Sequence, residues 1–81
     1  MSSIDLFKIM FKSLYNNRNY NKAENLIFLE AEKNNSPELC EIASDFYNSL
    51  LKKSDKELFK SNFSREEIYQ GLEDMKKLKA N

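Results

Sequence analysis

The chain contains no histidine and only one cysteine, one glycine and one proline. Each scarcity excludes something. Without histidine there is no imidazole to serve as acid, base or metal ligand. One cysteine cannot build a structural zinc site, and no histidine is present to activate it as a nucleophile. One glycine rules out the glycine-rich loops that cradle phosphates. Charge of one sign is also missing: 13 basic residues balance 13 acidic ones. That argues against general affinity for nucleic acid or anionic membrane, which needs a positive excess. No stretch approaches the ~20 apolar residues of a membrane span. The beginning of the chain carries Asp5 early and lacks a long apolar run followed by a small-residue cleavage site, so a signal peptide is not expected. A cytoplasmic location is expected, and a lone cysteine fits it.

What remains is enough for a core. The 81 residues are 41% hydrophobic, with 6 Phe and 4 Tyr, and make one domain spanning 1–81. A domain of this size buries only roughly 60% of its unfolded surface and is marginal alone. With no disulfide to compensate, oligomerisation is expected. The basic residues are nearly all Lys and Asn is abundant. That reads as AT-rich coding bias and points to a low-GC bacterium or its phage.

The stretch from Ser36 to Lys53 organises the rest. Leu39, Ile42, Ala43, Phe46, Tyr47, Leu50 and Leu51 recur at three- and four-residue steps and share one helical face. Glu38, Glu41, Asp45, Asn48, Ser49 and Lys52 fall on the other. Ser36 can cap the free N–H groups, and Pro37 suits the first helical position. Cys40 flanks the stripe as a small hydrophobe.

Before it, a helix is expected over about 3–15, capped by Ser2 or Ser3, with Asp5 in the first turn. Ile4, Phe7, Met10, Phe11 and Leu14 share its inward face, while Leu6 and Ile9 widen the apolar arc beyond it. Asn16 and Asn17 tolerate left-handed backbone and can end it without glycine. A second helix is expected over about 21–33, with Ala23, Leu26, Ile27 and Ala31 inward and Phe28 and Leu29 off that face. Asn34 and Asn35 close it. After the central helix (about 37–52), Ser54-Asp55-Lys56-Glu57 spells a capping box for one or two turns over 55–60. The last helix, about 65–79, has Ser64 and Glu67 as a second capping box and Phe63 with Ile68 as a hydrophobic staple. Ile68, Leu72, Met75 and Leu78 face inward, with Tyr69 at the edge. Gly71, mid-helix, marks a close crossing. Lys76, Lys77 and Lys79 complement the dipole at the helix end. The fold class is therefore all-α: a compact bundle of four to five helices.

Two resemblances accompany this reading. Tyr20-Asn21-Lys22-Ala23, with Leu39, Ile42, Ala43 and Phe46 at large-large-small-large spacing, resembles a degenerate tetratricopeptide-repeat hairpin over about Met10 to Leu50. Arg18 stands where that pattern has its turn glycine, and Pro37 falls later than the family proline. The resemblance implies antiparallel helix pairs. It does not imply peptide binding, because at least three repeats are usually needed for a groove. The second covers nearly the whole chain. Asn19-Tyr20, Ala23 to Leu26, Ser36 to Leu39, Asn62 to Ile68 and Gly71-Leu72 resemble a family of small helical proteins of unknown function from low-GC Gram-positive bacteria. It implies a compact fold and brings no activity.

Paired acids occur at Glu66-Glu67, Glu73-Asp74 and Glu38 with Glu41, on polar helix faces at caps or beside lysines. A di-metal helical bundle would bring histidines with its glutamates. No catalytic, cofactor-binding or metal residue is expected. The functional expectation is a non-enzymatic protein-interaction module, self-associating as a homodimer. Its candidate interface is the apolar surplus Leu6, Ile9 and Phe28. The alternative is a small bacterial or phage regulatory accessory protein contacting DNA or a DNA-binding protein. A DNA reader wants a basic recognition helix, and the acidic outer face of the central helix counts against one.

Overall fold

The computed structural model describes residues 3–80, the last two by their backbone. Ser2 and the Lys79 side chain lie outside what is described. Five helices follow one another: α1 Ser3–Asn16, α2 Tyr20–Lys33, α3 Pro37–Leu51, α4 Asp55–Lys60 and α5 Arg65–Ala80. No strand occurs among the described residues. Every end lies within one residue of its expected place.

The ends are written locally. Ser36 Oγ accepts the Leu39 N–H at 3.1 Å, with Pro37 in the first helical position. Ser54 Oγ accepts the Glu57 N–H at 3.2 Å. At α5 the capping box is complete: Ser64 Oγ accepts the Glu67 N–H at 3.2 Å, and the Ser64 N–H donates to Glu67 Oε2 at 2.8 Å. Phe63 and Ile68, the two halves of the staple, are both buried.

Two helices stop in left-handed turns that contain no glycine. After α1, the Arg18 N–H donates to the Tyr15 carbonyl and the Asn19 N–H to the Leu14 carbonyl, with Arg18 at φ 59°. After α4, the Asn62 N–H donates to Phe59 and the Phe63 N–H to Leu58, with Asn62 at φ 56°. Both are Schellman closures. Asn suits the left-handed position, whereas Arg carries a steric penalty there of about 1 kcal/mol. The left-handed residue expected at Asn16 or Asn17 is thus Arg18.

Packing follows from the apolar faces. Helix α1 packs on α2 and α3 on α5, and α2 against α3 joins the two pairs. Both pairs are antiparallel. Ser3, at the start of α1, donates to Glu30 near the end of α2. Arg65, at the start of α5, reaches the carbonyl of Leu51 at the end of α3, and the Leu78 carbonyl meets Asn35 just before α3 begins. Ser3 therefore does not cap α1; it is the first helical residue and ties the helix to α2.

Phe46, 3% exposed, sits where α1, α2 and α3 meet. Its ring contacts Phe11, Tyr15 and Tyr20 edge-on, with centroids 5.5, 6.1 and 6.3 Å away. Such edge-to-face pairs add stability beyond their buried area. The hydroxyls at the rim are satisfied. Ser49 donates to the Phe46 carbonyl at 2.7 Å, which leaves the Tyr15 hydroxyl to donate to Ser49 at 2.8 Å.

Arg65 closes the far end. Its guanidinium donates to the Leu51 carbonyl at 3.1 Å, the Lys53 carbonyl at 2.8 Å and Asp55 Oδ1 at 2.8 Å. The end of α3 presents free carbonyls and a negative dipole, so a cation is well placed there.

The Cα envelope measures 36 × 27 × 16 Å. In a five-helix body this small every helix keeps exposed residues along one side. Met10, expected inward, is 46% exposed for that reason.

Phe46→Ala is expected to lower unfolding free energy by about 3–5 kcal/mol, enough to unfold a domain of this size. Phe59→Ala, at a residue 84% exposed, should stay within about 0.5 kcal/mol of wild type. Urea melts of the two variants make the comparison, and similar midpoints would show that Phe46 is not the centre of the core.

Candidate interaction surface

Helix α1 has more apolar residues than one inward stripe can hold. Phe7 is buried, and Ile4, Phe11 and Leu14 pack partly buried against the core. Leu6 and Ile9 are left on the outer side at 52% and 57% exposure, with Met10 beside them. On α2, Leu29 stands 54% exposed. The Ser3–Glu30 bond fixes the register of the two helices, so Leu29 lies at the end of α2 that meets the start of α1. Leu6, Ile9 and Met10 thus make an apolar strip along the outer side of α1, with Leu29 exposed on the neighbouring helix.

Of the three residues singled out by sequence, Leu6 and Ile9 are on this strip. Phe28 is not in the same position: it is half-buried and packs against the core. Its neighbour Leu29 is the exposed one. Helix periodicity places the two 100° apart, and packing against the core covers Phe28 and leaves Leu29 out.

The strip is held in place by polar ties that the apolar pattern did not show. Glu30 is the buried charged residue among those described, and both of its oxygens accept from the Ser3 hydroxyl, at 3.2 and 2.9 Å. A carboxylate at the start of α1 also meets the positive end of that helix. Ala23, Ile27 and Glu30 follow a four-then-three spacing, which is the signal by which Glu30 belongs to the inward stripe. Lys8 pairs with Glu38 and links α1 to the start of α3.

Beneath the α2/α3/α5 junction lies the one close helix crossing that the glycine foreshadows. Tyr47 is fully buried, and its hydroxyl donates to Glu24 Oε2 at 2.6 Å. A β-carbon at Gly71 would overlap the Tyr47 ring at Cζ and Cε1, far inside van der Waals contact. Burial pushes the Glu24 carboxyl above its usual range. The Tyr47 hydrogen bond pulls it back down, and the charges of Glu67 and Asp74 push it further up. Burial likewise pushes the Tyr47 hydroxyl up, and accepting carboxylate Glu24 adds to the rise.

Other features carry less chemistry. An open hollow of about 640 Å³ between the start of α3 and the end of α5 is lined by Pro37, Cys40, Glu41, Ser44 and Leu78. Cys40 Sγ there donates to Asn35 Oδ1 at 3.5 Å. Arg18, Lys53 and Lys60 line a smaller hollow, with Glu57 among them. No group of three or more Cys, Asp or Glu among the described residues could hold a metal ion. No helix among them is long and apolar enough to cross a membrane.

Two measurements test the junction. Gly71→Ala gains about 1 kcal/mol of helix propensity but overpacks a ring that Glu24 and Phe46 hold in place. Overpacking costs typically ~1–3 kcal/mol, so a net loss of up to about 2 kcal/mol is expected. In a Tyr47→Leu background the same change should be neutral or stabilising; equal losses in both backgrounds would remove the clash as the cause. The second concerns pH. The folded state holds the Glu24 proton more tightly than the unfolded chain, so the contribution of Glu24 is fully present below its ordinary value of 4.5 and is lost as pH rises through the raised folded value. The stability of wild type minus that of Glu24→Gln should therefore fall with rising pH above 4.5, read by urea unfolding from about pH 4 to about pH 7. A constant difference would mean that Glu24 titrates as it does in the unfolded chain.

No curated protein and no solved structure matches the chain. A family model does: one described as a family of unknown function, DUF6483, matches residues 1–80. That span takes in all five helices and the strip on α1. The chain belongs to this family.

Proposed function

We propose that this protein is a non-enzymatic interaction module that associates with a second copy of itself through the outer side of α1 and α2. The observation that carries the reading is the strip of Leu6, Ile9 and Met10 on the outer side of α1, with Leu29 exposed on the neighbouring helix, each close to half exposed or more. Contiguous apolar surface of this kind marks interaction sites, whereas single exposed apolar residues do not. Supporting it, the core of so short a chain is small, so covering an outer face would add a large share of its buried area. The zero net charge does not oppose association.

The chemistry of the chain supports a binding role over catalysis. It has no histidine, and Glu38, Glu41, Glu66, Glu67 and Glu73 all stand on exposed helix faces. The α1/α2 pair is read as a single tetratricopeptide-like hairpin. Ala23 is fully buried, as the small residue of such a hairpin would be, and Arg18 takes the left-handed turn that a glycine fills in the repeat pattern. One hairpin has no solenoid groove, so the surface on offer is the flat outer strip. A cytoplasmic setting in a low-GC bacterium is part of the same proposal, resting on the Lys- and Asn-rich composition and the lone cysteine.

Light scattering on wild type at ~100 μM, well above the dissociation constants of specific dimers, should give the mass of a dimer. Ile9→Lys should give a folded monomer, because an unpaired charge in a contact costs on the order of 3 kcal/mol, about a hundredfold in affinity. Phe7→Lys, at a buried position, should unfold instead. A monomeric wild type at that concentration would end the self-association reading.

A further inference from the structure

We infer that the hollow between the ends of α1, α3 and α4 binds a phosphate-class oxyanion through Arg18, Lys53, Lys60 and the Tyr20 hydroxyl. The anion is free phosphate or the phosphoryl end of a small molecule. This goes beyond the self-association reading and does not depend on it.

The hollow measures about 220 Å³ and is lined by Arg18, Tyr20, Lys53, Glu57, Lys60 and Ser61. Arg18 follows α1, Lys53 follows α3 and Lys60 ends α4, so positions far apart in the chain bring cations to one place. Glu57, the carboxylate among them, accepts from the Ser54 hydroxyl at 3.3 Å. Three cations against one carboxylate leave a local positive excess in a chain whose net charge is zero.

Helix capping does not account for these cations, because the carbonyls there already have donors. After α1, the Tyr15 and Leu14 carbonyls accept from the N–H groups of Arg18 and Asn19. After α3, the Leu51 and Lys53 carbonyls accept from Arg65. After α4, the Phe59 and Leu58 carbonyls accept from Asn62 and Phe63. The turn after α1 gains nothing from an arginine either. Asparagine suits the left-handed position better, and the Arg18 side chain makes no hydrogen bond or ion pair with any described residue. Strain kept at such a position points to a use for the side chain.

Tyr20 supplies the second, independent signal. It is 3% exposed, and its hydroxyl bonds to no described residue. No buried side-chain oxygen or nitrogen among the described residues lacks a partner. The hydroxyl is therefore the part of Tyr20 that reaches the surface, and it does so in the hollow that Tyr20 lines. Its ring is set edge-on against Phe46 and Phe63, so this donor is fixed in place.

Phosphate matches this donor set. A phosphoryl group carries about −1.5 to −2 charge and offers three acceptor oxygens. A guanidinium can engage two of them at once, and lysines and a hydroxyl supply further donors. The hollow is smaller than the roughly 300–1,000 Å³ that drug-sized ligands take, so it suits one such group.

Calorimetric titration of the full chain at low salt tests the site, with inorganic phosphate and ribose 5-phosphate as probes. At least one should bind with a dissociation constant below about 1 mM, and ribose should not bind. Either order of affinity supports the site: tighter ribose 5-phosphate identifies the phosphoryl end of a small molecule, tighter phosphate the free ion. Arg18→Asn should weaken binding about tenfold or more while melting at or above the wild-type temperature, because asparagine relieves the turn. That separates lost binding from lost folding. Lys53→Gln and Lys60→Gln should each weaken it about tenfold, and Tyr20→Phe, which keeps the ring, about fivefold. Lys56→Gln, exposed on α4 but outside the hollow, should leave binding unchanged. No heat from either probe up to ~10 mM overturns the inference. So does a Lys56→Gln loss as large as that of Lys60→Gln, which would mean diffuse attraction and no site.

Discussion

Helix α3 must be covered on two sides at once, and the rest of the fold follows from that constraint. Phe46 and Tyr47 are adjacent in sequence and both buried. Adjacent helical residues point about 100° apart, so one neighbour cannot cover both. Phe46 is enclosed by the aromatic rings of α1 and α2, and Tyr47 by Gly71 of α5 and Glu24 of α2. Two antiparallel pairs, α1 with α2 and α3 with α5, are the arrangement that meets this demand with helices of 14 to 16 residues. Helix α4 is a connector whose Leu58 is buried and whose Phe59 is not.

The same arrangement leaves outer faces uncovered. No described residue covers the outer side of α1, where Leu6 and Ile9 are exposed. The apolar excess of that helix then goes to the surface, where Leu6, Ile9 and Met10 line up. Polar ties flank the strip: Ser3 bonds to Glu30, and Lys8 pairs with Glu38. Several apolar residues on one helix face offer more surface to a partner than a single exposed ring, which is why the proposed partner surface lies here and not on Phe59.

The serine caps of α3, α4 and α5 are legible in the sequence because their causes are local. Ser36, Ser54 and Ser64 bond to N–H groups three residues on, and Phe63 and Ile68 flank a single cap. Apolar periodicity placed Phe7, Ile27, Leu39, Phe46, Leu50, Ile68 and Met75 in the core, since each helix has one face to hide. Even Gly71 was legible as a close approach, because a glycine in mid-helix costs stability that only a steric need offsets.

What sequence left open were choices between neighbours that a helix alone treats alike. Periodicity puts Met10 with Phe7 and cannot show that the core ends before reaching it. It puts Phe28 and Leu29 both off the inward face, and only the packed core decides that Phe28 is partly covered. Glu30 reads as a surface acid until the start of α1 arrives beside it with the Ser3 hydroxyl. Arg65 reads as a helix-start residue, yet it closes the end of α3 from 14 residues away along the chain. Caps, turns and stripes depend on residues within one turn of each other, so the order of residues determines them. Which of two half-exposed residues is covered, and which charge is buried, depends on where a distant helix lands, and only the assembled tertiary structure decides that.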